Sequence, residues 1–346
     1  HPVTPRTSII MPVHRTGGRV IGAIRSALAQ TDPDFELLVL IDGSPEDSQQ
    51  VRAFLAEHPD ERVRVFDDEQ NRGVSAVRNR GLDQARGEWV CFLDADDRFR
   101  PHYLATLHAF AADQGADVAA CGHTLVRTTG EEQDRFRTPA GVLTGRQAAV
   151  KLLRDEMTSF VWDKLVRRDT VGDIRFLPDV HRGEDTVFCA AVLTAARRVV
   201  VVPSSLYEYG VGAGSLTWGR VTPPEESLRL MHGLARAVGD LLDAPEGRRA
   251  YTVTWVLIFL NAAQQSLMRR MLLPRLADSL SAEARQEESA QALAVIRDSR
   301  RRITWRQLAG TASAAPLYAA AGALLKLSPA LYRLIYGSYV RRTYGL

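Results

Sequence analysis

Over its first 125 residues the chain alternates short apolar runs with amphipathic stretches, and this alternation limits the possible folds more than any other feature. "TSIIMPV" (7–13), "FELLVLI" (35–41), "RVRVF" (62–66), "EWVCFLD" (88–94) and "ADVAACG" (116–122) read as strands. "GRVIGAIRSALAQ" (18–30), "GVSAVRNRGLDQA" (73–85) and "PHYLATLHAFAAD" (101–113) carry helical spacing, and Ser44-Pro45-Glu46 suits the cap and first turn of a further helix. Strands separated by helices imply right-handed crossovers, hence a Rossmann-like α/β domain with a mostly parallel sheet flanked by helices. In such sheets ligands bind beyond the carboxyl ends of the strands. Asp42, Asp94 and the loop after Met11 all belong to those ends.

After residue 125 the pattern changes. A polar hairpin or loop is expected over 124–138, helices over 145–155 and 183–196, and a strand at 197–203. From about residue 224 the pattern is helical in at least four segments. We therefore expect two regions, a ligand-binding domain over 1–222 and a helical, basic region over 223–346.

Net charge is +3, with 45% apolar and 25% charged residues, the balance of a soluble globular protein. Cys91, Cys121 and Cys189 form no CxxC pair and lie in apolar surroundings, so reduced, buried thiols in a cytosolic protein are expected. No secretory signal opens the chain, and "VTWVLIFLNAA" (253–263) is too short for a membrane span. A cytoplasmic location is the expectation, peripheral at the inner membrane face if the tail discussed below touches lipid. His102, His108, His123 and Cys121 lack zinc-ligand spacing.

"WVCFLDADDRF" (89–99) poses a physical problem. An apolar strand ends in Asp94, Asp96 and Asp97. Carboxylates packed together repel, and each costs free energy if desolvated without a partner. A divalent cation removes the conflict. Mg²⁺ and Mn²⁺ favour carboxylate oxygens and are often held by one or two acids plus phosphate and water.

The ordered set "SIIMPVHR", "SALAQTDPDFELLVLIDGSPEDS", "NRGVSAVRNRGLDQARGEWVCFLDADD", "VWDKLVRRD", "RGEDTVF" and "YEYGVGAGSLT" resembles the family 2 glycosyltransferases of GT-A fold, over roughly residues 6–217. The resemblance implies an inverting, metal-dependent transfer from a nucleotide-sugar donor, most often a UDP-sugar. By its motifs Asp94 contacts the ribose and Asp96 holds Mn²⁺ or Mg²⁺, with Asp97 in support. Asp42 hydrogen-bonds the base, although the usual "DDGS" is here "IDGS". Pro12 and His14 match a turn whose ring stacks on the base, with histidine in place of the usual tyrosine. Arg78 matches an arginine near the donor diphosphate or base. A surface helix cation is the alternative reading of Arg78.

Inversion needs a base on the face opposite the leaving group. Asp185 matches that base and Glu184 a neighbour that orients it or holds the acceptor. Acids in a first helical turn are also ordinary dipole partners. Trp162 and Lys164 match a segment beside the acceptor, and Trp162 suits either a sugar-facing wall or the core. Ser215 matches a loop residue that approaches the diphosphate, while the arginine usual in that loop is replaced at Gly210.

Residues 301–346 contain seven Lys or Arg, no Asp or Glu, and interleaved aromatics. This pattern suits an anionic membrane surface or a polyanionic acceptor. A packing or homo-oligomerisation region is the competing reading. No nucleic-acid-binding motif accompanies it, and no nucleic acid is expected as partner. The expected acceptors are a cell-surface glycan, a teichoic-acid-like polymer or a lipid-linked sugar. Two other classes stay open at this level: a nucleotidyltransferase that makes nucleotide sugars, and a non-catalytic nucleotide-sugar-binding scaffold.

Overall fold

A computed structural model of the chain describes residues 4–211, 221–276 and 280–344. It divides into two compact units, one of residues 1–152 and 156–212 and one of residues 153–155 and 213–346.

The first unit begins with β1 (Thr7–Val13), α1 (Val20–Leu28), β2 (Phe35–Asp42), α2 (Pro45–Glu57), β3 (Val63–Asp68), α3 (Val74–Gln84) and β4 (Trp89–Phe92). The four strands are parallel, in the order β3-β2-β1-β4. All of β2 and all of β1 except Pro12 are buried, which is why both run almost continuously apolar instead of alternating. Ile10 lies opposite Leu38 on one side and Phe92 on the other, so the carboxyl ends of β1, β2 and β4 share one rim. Helix α3 lies directly on β1 because residue 81 is glycine. A Cβ there would stand 2.4 Å from Ile10 Cγ2.

Beyond β4 the sheet is mixed. There follow β5 (Arg98–Phe99), α4 (Tyr103–Gln114), β6 (Val118–Arg127), β7 (Glu132–Arg135), β8 (Gly141–Thr144), α5 (Gly145–Leu153), β9 (Lys164–Arg167), α6 (Arg168–Val171), α7 (Glu184–Ala195) and β10 (Arg198–Val211). The order continues β9-β6-β10-β5, with β7 on β6 and β8 on β10. The strand expected at 116–122 therefore does not join β4. Strand β9 enters between them, antiparallel to both. At four residues β9 is too short to show a period. The polar stretch at 124–138 holds the β6–β7 pairing, with Thr124 opposite Asp134.

Among its described residues the second unit is helical: α8 (Pro224–Val238), α9 (Pro245–Leu272), α10 (Ala282–Arg302), α11 (Trp305–Thr311), α12 (Pro316–Leu327) and α13 (Pro329–Tyr344), with short 3-10 turns at 239–243 and 273–276. Arg269 pairs with Glu288 at 2.7 Å to join α9 and α10, and Gln264 Nε2 donates to Tyr332 Oη at 2.6 Å to join α9 and α13. Among the described residues no helix is long and apolar enough to cross a membrane.

Candidate active site

The rim of the parallel strands carries two groups of polar side chains. The first surrounds the ends of β1 and β2. Asp42 is buried, and its Oδ1 and Oδ2 accept from the backbone N–H groups of Arg72 (2.7 Å) and Gly73 (3.0 Å). It therefore pins the loop that leads into α3. Gly43, at φ +58°, lets that loop pass close by, since a Cβ there would meet Asn71 N at 2.5 Å. The exposed His14 ring lies across the same place. Its Nδ1 bonds the Asp42 carbonyl at 2.6 Å, and its Nε2 lies 3.0 Å from Asn71 Nδ2. With Asn71 donating, Nδ1 carries the proton. Ser44 is the N-cap residue expected of α2, but its hydroxyl donates to Asp47 Oδ2 at 2.6 Å. Asp47 also accepts from Thr16 and so ties the loop after β1 to α2. Pro12 is half-buried beneath this arrangement.

The second group is the Asp94–Asp97 stretch. The chain turns here, with Asp97 N donating to the Asp94 carbonyl at 3.1 Å, yet burial still alternates. Asp94 and Asp96 face outward and Asp97 faces inward. The expectation that Asp97 supports a metal is thereby corrected. Its Oδ2 accepts from Tyr207 Oη at 2.8 Å, its Oδ1 accepts from Gly210 N at 2.9 Å, and it is 3% exposed. Tyr207 Oη in turn accepts from Asp94 N at 3.2 Å. Asp97 is thus a tie between the acidic turn and the end of β10. Burial pushes its carboxyl up to about 8, with Asp94 adding to the effect.

Arg78, on α3, is no surface cation. Its side chain is 5% exposed, and Nη2 lies 3.2 Å from Asp94 Oδ1. Nη1 lies 2.6 Å from Asp185 Oδ1 and 3.2 Å from Glu184 Oε1. The guanidinium sits over the Phe176 ring, at 5.4 Å from its centroid, and Phe176 stacks on Phe188 of α7 at 4.0 Å. Burial works against the charge of Arg78, but Asp185, Asp94 and Glu184 outweigh it and raise its pKa. Glu184 and Asp185 open α7 directly after Gly183, whose φ is +79°. Burial pushes Asp185 up to about 7, with Arg78 opposing the shift and Glu184 and Asp94 adding to it.

Trp162 and Lys164 require correction as site-wall residues. Trp162 is 2% exposed and stacks between Tyr207 (4.2 Å) and Phe160 (4.6 Å). Phe160, 40% exposed, is the outer ring of that stack. Lys164 is also buried. Its ammonium donates to Asp163 Oδ1 (2.6 Å) and to the carbonyls of Phe160 (2.7 Å) and Thr158 (2.9 Å), which leaves no donor for an acceptor sugar. The "WDK" segment builds the core beneath the site. Sequence reasoning missed Asn71, Phe160 and Phe176. Asn71, two residues before the positive-φ Gly73, was the most legible of these. Ser215 lies outside the described residues.

Asp96 is the most open of the acids here. Its side chain is 43% exposed, it pairs with the exposed Arg19 at 3.3 Å, and burial followed by the charge of Asp94 raises its pKa. Among the described residues no three His, Cys, Asp or Glu side chains form a complete cage. A hard cation here needs donor phosphate oxygens as well as Asp96 and Asp94, and the surplus of carboxylates over Arg19 and Arg78 fits one.

The model of the family described as glycosyl transferase family 2 matches residues 8–171. The Escherichia coli K12 protein described as uncharacterized glycosyltransferase YibD is 33% identical over 215 residues, 60% of this chain and 61% of that one. The Rhizobium meliloti succinoglycan biosynthesis protein ExoO is 29% identical over 221 residues, 62% and 63% respectively. The chain thus spans less than two thirds of the length of these relatives. S. aureus TarS 1-349 in complex with UDP-GlcNAc superposes with a TM-score of 0.63 at 22% identity, over 98% of this chain and 93% of that one. That likeness shows the GT-A fold. The family model covers the stretch that carries His14, Asp42, Arg78, Asp94 and Asp96, and with this fold around them residues 8–171 match a glycosyl transferase family 2 domain.

Proposed function

We propose that this protein is an inverting glycosyltransferase that moves a sugar from a nucleotide-sugar donor, a UDP-sugar, to a hydroxyl of a cell-surface glycan or a lipid-linked or teichoic-acid-like acceptor. In this reading residues 1–222 form the catalytic domain. One observation carries the proposal: a single buried guanidinium, Arg78, joins the donor-side acid Asp94 to Glu184 and Asp185. Two clusters of acids held that close cost electrostatic free energy, which a diphosphate site beside a proton-accepting group explains. The TarS complex with UDP-GlcNAc and the role of ExoO in succinoglycan biosynthesis support the donor and acceptor classes.

In this mechanism His14 presents its ring to the base while Asp42 and Asn71 hold the pocket around it. Asp94 accepts a ribose hydroxyl. A Mn²⁺ or Mg²⁺ held by Asp96 and Asp94, when bound, supplies neutralisation of the diphosphate charge. Asp185, with a pKa near 7, takes the proton from the attacking hydroxyl, and Glu184 and Arg78 fix its direction. Phe160 offers a flat apolar face for a sugar ring.

The deciding experiment measures nucleoside diphosphate release from UDP-, GDP-, dTDP- and CDP-sugars with Mn²⁺ and then with EDTA. Release from one donor that EDTA stops and Asp185→Asn slows by roughly 10²-fold or more is the expected result. Pyrophosphate release from a nucleoside triphosphate would identify a nucleotidyltransferase instead. Donor binding with unchanged slow hydrolysis in Asp185→Asn would identify a scaffold.

A further inference from the structure

Ten large apolar side chains are exposed among the described residues. Six of them fall within 31 residues: Trp305, Leu317, Leu327, Leu331, Leu334 and Ile335. On α13 the exposed Ala330, Leu331, Leu334 and Ile335 recur at i, i+1, i+4 and i+5, which is one stripe of a helix. Leu331, Leu334 and Ile335 are 46%, 61% and 54% exposed, while Tyr332 between them is buried and bonded to Gln264. Helix α13 is therefore anchored by one face and presents an apolar one outward. Helix α12 does the same, with Ala319 and Leu325 buried and Leu317 and Leu327 at 82% and 73% exposure.

Charge selects the partner. All 41 acids of the chain lie in residues 1–300 together with 37 of its 44 Lys and Arg, a net of −4. Residues 301–346 hold the other seven cations and no acid, a net of +7. Arg301, Arg306 and Arg333 are exposed, and Lys326 lies 5.8 Å from the half-exposed Trp305 ring. A second copy seated on the same face would set +7 against +7, whereas an anionic surface answers both the charge and the apolar stripe. The helices do not span. At 12 and 16 residues they are roughly 18 and 24 Å long, against a hydrocarbon core of about 30 Å. Short basic helices with an apolar face and interfacial aromatics lie in the headgroup plane. We propose that α11, α12 and α13 form a docking face for an anionic phospholipid bilayer. This inference does not depend on the sugar-transfer reading.

The test is co-sedimentation of the full chain with phosphatidylcholine vesicles, with and without phosphatidylglycerol. Partition onto the anionic vesicles is expected to exceed that onto neutral ones by about tenfold or more. It is expected to fall comparably in Leu331→Ser/Leu334→Ser/Ile335→Ser and in Arg306→Glu/Arg333→Glu, with thermal melting unchanged. If the triple variant melts early, the charge reversal, confined to two exposed arginines, decides alone. Absence of anionic-vesicle binding, or equal binding by wild type and charge-reversed protein, overturns the proposal. A wild-type dimer in sedimentation equilibrium that the triple variant abolishes and vesicles do not compete away also overturns it, because the stripe is then a self-association face.

Discussion

Arg78 holds Asp185 at 2.6 Å, with the guanidinium 5% exposed and the carboxylate 18% exposed. The same guanidinium reaches Asp94 and Glu184, so one cation serves three acids across 107 residues of sequence. Removing it would leave three partly buried acids without their ion-pair partner, and breaking a buried pair from one side costs up to roughly 3–5 kcal/mol. Arg78→Met is expected to lose about that much by chemical denaturation. Arg78→Lys keeps the charge but not the fork, so its stability should fall less while its turnover falls sharply. Equal, small losses in both variants would mean that the acids do not depend on Arg78.

Asp185 also sets an expected pH dependence. Burial raises its carboxyl to about 7 against the pull of Arg78. A base accepts a proton only when ionised, so kcat should rise with pH, close to tenfold per unit below about 7, and level off above it. In Asp185→Asn the residual rate should be lower by roughly 10²- to 10⁴-fold and flat across the same range. A wild-type rate independent of pH from 5 to 8 would remove Asp185 from the proton-transfer step.

The sequence made the parallel half of the fold legible because β1 and β2 are long, mostly apolar runs closed by polar turns, and β4 is an apolar run that ends in three acids. The ends of β1, β2 and β4 could be placed on one rim before any coordinates. Strand β9 could not be placed, since "KLVR" is four residues with no period, and its position between β4 and β6 is set by tertiary pairing. Site chemistry followed the same division. Asp94, Asp96, Glu184 and Asp185 announce themselves as acids at element ends. Trp162 and Lys164 misled, because a tryptophan and a lysine are more often partly exposed than fully packed. Only the stack with Tyr207 and the saturation of the ammonium by Asp163 and two carbonyls explain their burial. Asp97 looked like a support for the metal because its inward orientation depends on Tyr207 and Gly210, more than 100 residues away.

At the opposite end of the sheet, His108 makes stability depend on pH. It is 2% exposed, Nε2 bonds Thr7 Oγ1 at 2.7 Å, and Nδ1 has no hydrogen-bond partner. Burial, aided by the Arg6 charge, lowers its pKa to about 4, while Asp32 and Asp34 oppose the shift. A folded pKa below the unfolded value means that the unfolded chain binds the proton first. Stability is then full above about 6.5 and falls as pH drops toward 4, by at most roughly 3 kcal/mol. Urea midpoints at pH 7 and pH 4.5 are the measurement. His108→Gln should narrow the difference, and an unchanged difference would place the acid sensitivity elsewhere.

Phe160 supplies the last test, one of substrate recognition. Its ring is 40% exposed, and its other face stacks on the buried Trp162 at 4.6 Å. Its carbonyl accepts from Lys164 Nζ and Cys189 Sγ, and Cys189 lies on α7 one turn beyond Asp185. The backbone of Phe160 is thus fixed against the helix that carries the proposed base, while its ring stays available. A ring–sugar contact of this kind has an energy of about 0.5–1.5 kcal/mol, by analogy with aromatic pairs. Phe160→Ala should therefore raise the acceptor KM by roughly threefold to tenfold and leave the donor KM unchanged. Phe160→Tyr, which keeps the flat face, should restore it. A rise in the donor KM, or failure of tyrosine to rescue, would show that the ring supports the Trp162 stack and does not meet the acceptor.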